Sequence, residues 1–281
     1  MQQKLLFGPF LVLLVTAGLS GCNAPQHETA KATVSAAQSA ALSPVEVPAK
    51  NCQMKAFTQS YGLGKQIFTF DYKGSILQQV NVKADGQEAG QQVVYSYDGQ
   101  GRVDSIRARP GKSFLKYIYD AHGKLVRIEA GGSFMPRKFS YNSQGQLNKQ
   151  ETVFNQKPFT TTEYTYDAQG NAVEARIFDQ SGKPEQTLTF RYDDKANPMV
   201  HSGALVNGLE ILYGYPVANS LHNLVEVTTT YHKNPGYRVN GEEIKTGSKQ
   251  TKAMVYAYNQ QGYLVSLNKE KTAIGWQYTC Q

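Results

Sequence analysis

YIYDAHGKL (117–125) is one of seven related phrases in this chain of 281 residues. Each phrase has two aromatic residues separated by one position, then Asp or Asn, then two variable positions and, in most copies, Gly. The copies are FTFDYKGSI (68–76), YSYDGQGRV (95–103), YIYDAHGKL (117–125), FSYNSQGQL (139–147), YTYDAQGNA (164–172), FRYDDKANP (190–198) and YAYNQQGYL (256–264). The second to fifth copies begin 22, 22 and 25 residues apart, and this spacing indicates a structural repeat.

The residue types of the phrase predict the tip of a β-hairpin. Aromatic residues at positions i and i+2 lie on the same face of an extended strand. Asp or Asn then favours a turn, because its short side chain can accept a hydrogen bond from the backbone two residues later. The Gly predicts a type I turn followed by a bulge, in which one residue needs a positive φ.

Weaker turn patterns lie between the phrases, so the chain reverses every 10 to 14 residues between Asp71 and Pro198. These patterns are DGQEAG (85–90), RPGK (109–112), AGGS (130–133), NQKP (155–158) and QSGK (180–183). Short connections join antiparallel strands, whereas parallel strands need long crossovers. The sequence therefore predicts an all-β fold: an antiparallel up-and-down meander of a dozen or more strands in one large curved sheet. Whether that sheet stays open or closes into a barrel is left open.

Strict alternation along one hairpin predicts that both faces of the sheet mix apolar and charged residues. Leu125, Arg127 and Glu129 would share one face, and Lys124, Val126 and Ile128 the other. A strand that faces lipid needs an uninterrupted apolar face. The pattern therefore argues against a membrane-spanning barrel and favours a sheet with water on much of both sides.

The phrases resemble the YD repeat of RHS-type proteins. The chain is also similar to a group of Bacteroidota lipoproteins of unknown function. Those proteins carry YD-like hairpins, a Y-x-x-K-x-N-P segment and a Y-x-Y-N-x-x-G-Y segment, which YDDKANP (192–198) and YAYNQQGY (256–263) match. The resemblance covers roughly residues 66 to 267. It implies hairpins and an envelope lipoprotein, and it implies no particular chemistry.

The N-terminus predicts export and lipid attachment. Lys4 precedes the apolar run from Leu5 to Leu14, which is too short for a typical transmembrane helix and suits a signal peptide. The next feature, LSGC (19–22), resembles a lipobox, in which Cys22 would carry the lipid. An uncleaved anchor and an ordinary secretory signal are the alternatives. We therefore expect a signal peptide at 1–21, a flexible Ala-, Ser- and Pro-rich tether at 22–50 and a single β-meander domain at 51–281.

The other two cysteines, Cys52 and Cys280, bracket the predicted domain. An exported protein folds where disulfides persist, so the pair is expected to form one bond between the first and last strands. Two unpaired thiols are the alternative.

Residues 199–255 interrupt the repeat, and an interruption is where a repeat protein can carry a site. The weak candidates for ligand binding are Tyr213 and Tyr215, which could stack on a carbohydrate, and His222 and His232, which together with His201 could converge. Packing of the sheet and solvated loops explain the same residues.

Composition and motifs exclude several function classes. The net charge of +7 is spread along the chain without a Lys/Arg-rich run, so no nucleic-acid partner is expected. The sequence has no nucleophile elbow, H-E-x-x-H or cysteine-pair metal motif, and therefore predicts no catalytic residues, metal or cofactor.

The expected function follows from these features together. We expect a non-catalytic binding or structural lipoprotein of the outer membrane, on its periplasmic side or at the cell surface. It would meet the membrane through acyl chains, and a glycan, lipid or protein is the expected ligand. The alternative is an envelope hydrolase with a site in 199–255.

Overall fold

The computed structural model describes residues 52–61, 64–74, 76–84, 90–132, 135–196, 220, 222–236, 238–239, 242–260, 264–269 and 272–280, and these residues are all β-strands and turns. The strands, in chain order, are β1 (Cys52–Tyr61), β2 (Gly64–Lys73), β3 (Ile76–Ala84), β4 (Gln91–Tyr97), β5 (Val103–Arg109), β6 (Phe114–Tyr119), β7 (Leu125–Gly131), β8 (Arg137–Tyr141), β9 (Leu147–Phe154), β10 (Lys157–Tyr166), β11 (Ala172–Asp179), β12 (Pro184–Ala196), β13 (His222–Tyr231), β14 (Arg238–Val239), β15 (Glu242–Glu243), β16 (Lys249–Ala253), β17 (Val255–Tyr258), β18 (Leu264–Lys269) and β19 (Thr272–Cys280).

Seventeen of these strands form one antiparallel sheet, and β14 and β15 form a separate two-stranded ribbon. Each strand from β1 to β13 pairs with the next, β13 pairs with β16, and β17, β18 and β19 pair in sequence. Only Met254 separates β16 from β17, so the two continue one path through the sheet. These pairings confirm the predicted meander of more than a dozen strands.

The sheet closes on itself, because the last strand pairs with the first. β19 runs antiparallel to β1 from Tyr61 opposite Thr272 to Cys52 opposite Cys280. The two cysteines are therefore the outermost pair of the register that joins the chain ends. Of the two arrangements that the sequence left open, the structure shows the closed one.

The hairpin phrases turn at one end of the closed sheet, which we call the phrase end, and the remaining turns lie at the opposite end. In the turn that begins at Asp120, the Gly123 amide donates to the Asp120 carbonyl over 3.0 Å, and Gly123 has a φ of 81°. The Asp120 carboxylate accepts hydrogen bonds of 2.9 Å from the amides of His122 and Lys124. The same bonds recur at Asp98, Asn142 and Asp167, which confirms the predicted turn.

A register shift accompanies every phrase, and it changes which side chains share a face. In the hairpin of β6 and β7 the shift lies between Ile118 and Tyr119, which pair with Arg127 and Leu125. Leu125 and Ile128 are therefore both buried, while Arg127 and Glu129 are both exposed. The prediction of two mixed, wet faces was wrong, because strict alternation ignores the extra residue of the bulge.

The buried residues form one apolar cluster to which strands from β2 to β18 contribute. Its largest fully buried members are Leu77, Ile128, Leu188, Leu224, Val227, Leu264 and Leu267. The first aromatic residue of most phrases, such as Tyr95, Tyr117 or Tyr164, also belongs to it. The repeated phrase thus contributes large aromatic side chains to the core at regular intervals.

The structure corrects the alignment of the first phrase by two residues. In FTFDYKGSI the register shift lies between Asp71 and Tyr72, and Tyr72 pairs with Leu77. Tyr72, rather than Phe70, therefore occupies the second aromatic position, and its hairpin turns tightly at Gly74, which has a φ of 61°.

Within the described residues, no helix is long and apolar enough to cross a membrane.

Candidate functional site at the interrupted hairpin

The tyrosine at the second aromatic position of a phrase links its hairpin to the preceding one. Its hydroxyl donates to the backbone carbonyl of the first or second residue of the preceding return strand. The bonds join Tyr97 to Leu77 (2.5 Å), Tyr119 to Val103 (2.8 Å), Tyr141 to Leu125 (2.7 Å), Tyr166 to Leu147 (2.5 Å) and Tyr192 to Ala172 (2.7 Å). We call this row the tyrosine ladder.

Burial raises the pKa of four of the ladder tyrosines, because a phenolate loses its hydration inside the sheet. The pKa values of Tyr97, Tyr119, Tyr141 and Tyr166 are all above the ordinary value for this reason. The hydroxyls therefore stay protonated and remain hydrogen-bond donors at physiological pH. The ladder is a structural device that lies along the phrase end.

The regular pattern is broken at the sixth hairpin, between β12 and β13. Tyr192 pairs with Leu224, as the second aromatic of a phrase should, but residues 193–223 lie between them. Asp193 still accepts from the amide two residues later, that of Lys195, over 3.0 Å. A second amide bond comes from Asn223, over 3.1 Å, whereas in the regular phrases it comes from the residue four positions after the Asp or Asn. The sixth phrase is therefore a hairpin turn opened by an insertion, with its anchoring bonds preserved.

Ser220, at the return of the insertion, is completely buried in a ring of three hydrogen bonds. The Ala172 amide donates to Ser220 Oγ over 3.1 Å, and Ser220 Oγ donates to the Tyr192 hydroxyl over 2.9 Å. The Tyr192 hydroxyl donates in turn to the Ala172 carbonyl. Three other phrases have a larger side chain where the fifth has Ala172, namely Val103, Leu125 and Leu147. The fifth phrase thus has a smaller residue than these three at the position whose amide donates to Ser220.

His222 is buried beside the fifth hairpin. Its Nδ1 lies 2.9 Å from Asn171 Oδ1, and Asn171 Nδ2 donates to Asp167 Oδ2 over 3.2 Å. Because the Asn171 amide nitrogen faces Asp167, its oxygen faces His222 and accepts from a protonated Nδ1. The imidazole is thus oriented by an amide that is itself fixed by a turn carboxylate.

Asp193, Asn223 and Tyr258 connect the sixth hairpin to the last one. The Tyr258 hydroxyl donates to Asp193 Oδ2, and Asn223 Nδ2 donates to the Tyr258 hydroxyl over 3.0 Å. Tyr258 is the second aromatic of the last phrase, and the ladder bond there comes from Tyr256, which donates to the Leu224 carbonyl over 2.6 Å.

The polar side chains at the two ends of the insertion thus form three neighbouring hydrogen-bonded sets, which we together call the polar floor. Its members are Asn171, Tyr192, Asp193, Ser220, His222, Asn223 and Tyr258. They come from four strands and turns of the phrase end. The floor is therefore a product of the folded sheet and not of one sequence segment.

The structure separates the residues that the sequence singled out. His222 begins β13 at the phrase end, whereas His232 follows β13 at the opposite end and lies 2.8 Å from Thr187 Oγ1. Strand residues rise about 3.3 Å each, so His222 and His232 are about 30 Å apart and do not converge. Tyr213, Tyr215, His201 and Cys22 lie outside the described residues, and so do the predicted signal peptide and tether.

Sequence reasoning missed the polar floor, although one signal was present. The second to fourth phrases end in Val or Leu, whereas the fifth ends in Ala172, the residue whose amide donates to Ser220. The Ser220 hydroxyl donates to Tyr192 rather than to a base, which is not the arrangement of an activated nucleophile. Among the described residues, no group of three or more His, Cys, Asp or Glu side chains could hold a metal ion.

Comparisons with known proteins support the fold and assign no family. No family model matches the chain, and no curated protein matches it. Among solved structures, a porin-like protein from Bacteroides uniformis is similar with a TM-score of 0.55 and 12% sequence identity, over 84% of this chain and 99% of that one. This similarity shows a shared all-β fold.

Two further structures resemble the chain more distantly. One is a chain in the structure of TcdB2-TccC3-Cdc42, with a TM-score of 0.33 and 15% identity over 73% of this chain and 9% of that one. The other is a porin-like protein from Bacteroides vulgatus, with a TM-score of 0.22 and 11% identity over 79% of this chain and 86% of that one. Similarities at this level add nothing to the fold assignment.

Proposed function

We propose that the chain is an exported, lipid-anchored protein of the bacterial cell envelope that acts as a non-catalytic binding or structural module. The observation that carries the non-catalytic part is that the hydroxyl, imidazole and carboxylate of the polar floor each bond to a different structural partner. The Ser220 hydroxyl donates to Tyr192, the His222 imidazole bonds to Asn171, and the Asp193 carboxylate accepts from Tyr258. Such a network fixes the two ends of the insertion on a rigid sheet. Residues 197–219, which join these two ends, lie outside the described residues, and they are the segment that we propose meets a ligand.

The distribution of side chains favours a compact module over a water-filled channel, although one structural neighbour is a porin-like protein. A channel of this kind has a polar interior and an apolar outer band. Here the buried cluster is apolar, and exposed positions carry ion pairs such as Arg127 with Glu129 and Arg176 with Glu174. The side chains are thus distributed in the opposite way.

The envelope location is supported by LSGC (19–22) and by the resemblance to Bacteroidota lipoproteins. Metabolic labelling with a palmitate analogue tests it, and the outer-membrane fraction should contain the labelled protein. We expect Cys22→Ala to abolish the label and Cys280→Ser, the control, to keep it. Equal labelling of wild type and Cys22→Ala would contradict lipid attachment at this position.

The non-catalytic role is tested by a panel of ester, glycoside, phosphate and peptide substrates. We expect no turnover above a heat-inactivated sample. Turnover that Ser220→Ala or His222→Ala abolishes without a change in melting temperature would contradict the proposal and support the hydrolase alternative. Thermal-shift measurements with envelope polysaccharides and lipids complement this assay, because a ligand that binds the folded state raises its melting temperature.

A further inference from the structure

The hairpin of β9 and β10 carries an exposed apolar tip. Phe154 is 58% exposed and Phe159 is 47% exposed, and their rings meet edge to face with centroids 6.3 Å apart. The turn between the strands has only two residues, Asn155 and Gln156, with φ values of 49° and 63°. A two-residue turn with positive φ at both positions matches the right-handed twist of the strands and gives a narrow tip.

The tip extends past the strands on either side. On one side the last pair between β8 and β9 is Arg137 opposite Thr152, two residues before Phe154. On the other side β11 ends at Asp179, which pairs with Thr160, so Phe159 lies beyond it. The two phenylalanines therefore project from the opposite end of the sheet, where the neighbouring strands do not cover them.

Basic side chains surround this tip. Exposed Lys157 lies on it, exposed Lys138 and half-buried Arg137 begin the adjacent β8, and exposed Lys183 lies in the turn after β11. The nearby carboxylates already contact lysines: Glu151 lies 2.7 Å from Lys149, and Asp179 and Glu185 both contact Lys233. The end is thus basic around an apolar centre.

We propose that this tip, with its basic surroundings, docks on the surface of an anionic lipid bilayer. Aromatic side chains flanked by Lys and Arg suit such a surface, because the rings enter the boundary between headgroups and acyl chains while the cations meet lipid phosphates. The charge complementarity selects an anionic bilayer over an uncharged apolar partner. At the phrase end, by contrast, the turns carry the carboxylates Asp120 and Asp167 and the ion pair of Asp98 with Arg102.

The proposed contact is separate from the proposed lipid anchor. Cys52, which begins the sheet after the predicted tether, lies at the phrase end, so the Phe154–Phe159 tip is at the far end of the folded body. Ten-residue strands make that body about 30 Å tall. The 29 residues from Asn23 to Asn51 can span as much as roughly 100 Å. An anchored chain can therefore turn its far end toward the same bilayer and contact it at two points.

The test uses the chain from residue 22 onward with Cys22→Ser, so that neither acyl chains nor the apolar run Leu5–Leu14 can bind lipid. Co-sedimentation with phosphatidylglycerol–phosphatidylethanolamine vesicles is compared with co-sedimentation with phosphatidylcholine vesicles. We expect binding to the anionic vesicles that weakens as salt is raised. Phe154→Ser with Phe159→Ser should weaken it at least about tenfold, because two exposed rings no longer leave water. Lys138→Glu with Lys157→Glu should weaken it as well.

Ile76→Ser is the matched control, since Ile76 is 44% exposed but lies at the phrase end. It should leave vesicle binding unchanged. Melting temperatures establish that each variant is folded, and if the double Phe variant does not fold, the double Lys variant provides the same test. Failure of the Cys22→Ser chain to bind anionic vesicles, or full binding by either folded double variant, would overturn the proposal. Neither result bears on lipid attachment at Cys22, which the palmitate experiment tests separately.

Discussion

The tyrosine at the second aromatic position of each ladder phrase combines two roles in one side chain. Its ring packs against the apolar cluster, and its hydroxyl bonds to the carbonyl of the preceding hairpin. A buried tyrosine needs a partner for its hydroxyl, and a carbonyl next to a bulge needs a donor. The same pair of contacts therefore recurs from one hairpin to the next.

Tyr141→Phe tests the ladder at a single residue. The change removes the bond from Tyr141 to the Leu125 carbonyl but keeps the ring, including its contact with Lys124. We expect the free energy of unfolding in urea to fall by about 1 kcal/mol. Tyr72→Phe is the control, because no hydrogen bond of the Tyr72 hydroxyl is present among the described residues. Equal losses in the two variants would contradict a specific role for the ladder bond.

The lowered pKa of Asp179 predicts how the stability of the fold depends on pH in acid. Hydrogen bonds from the Ser181 hydroxyl and from the Lys183 and Ser181 amides lower the pKa of Asp179 to about 2. A carboxyl whose pKa is lower in the folded state stabilises the fold above its unfolded pKa of about 3.9, and this stability is lost as pH falls toward 2. Asp179→Asn keeps an acceptor oxygen, as Asn142 does naturally, and should flatten the decline in melting temperature between about pH 4 and pH 2. Asp194→Asn, at an exposed carboxylate, is the control, and an unchanged slope in Asp179→Asn would contradict this assignment.

At the scale of elements, the sequence predicted the hairpins because their turns depend on local chemistry. Asp, Asn and Gly at fixed offsets specify a turn whatever lies around it. Face assignment failed, because strict alternation was continued across the predicted bulge, and the register shift beside Tyr119 moves the alternation by one residue. The polar floor could not be predicted either, since Ser220 and Ala172 are 48 positions apart and meet only in the folded sheet.

If 194–223 is an insertion in the sixth hairpin, an ordinary four-residue turn should be able to replace it. Residues 194–223 would be exchanged for Ala-Gln-Gly-Asn, the sequence of 168–171 that joins Asp167 to Ala172. We expect a β-type circular dichroism spectrum and a loss of about 1–3 kcal/mol, because the Ala172 amide loses its bond to Ser220. The same four residues in place of 121–124 are the control and should cost less. An unfolded graft would show that 194–223 is part of the core rather than an insertion.

At the scale of the whole molecule, the register favours a disulfide between Cys52 and Cys280. Directly opposed residues of antiparallel strands have Cα atoms about 4.5 to 5.5 Å apart, which lies within the range that a disulfide spans. We propose that the bond forms in the exported protein, where the closure of so long a loop contributes at most roughly 5 kcal/mol. Non-reducing peptide mapping should find the cross-linked peptide, and reduction should lower the melting temperature. Two free thiols in envelope material would contradict the bond.

Closure of the sheet is the central claim, and one distance tests it most directly. Spin labels are attached through unnatural amino acids at positions 60 and 273, so that the native cysteines stay in place. These two positions are opposite each other in the β1–β19 register. Labels at positions 116 and 129, opposite each other in β6 and β7, are the reference. The closed sheet predicts that double electron–electron resonance gives both pairs the same short distance. An open sheet would separate positions 60 and 273 by as much as roughly 75 Å, since neighbouring strands lie about 4.8 Å apart, and such a distance would contradict the account.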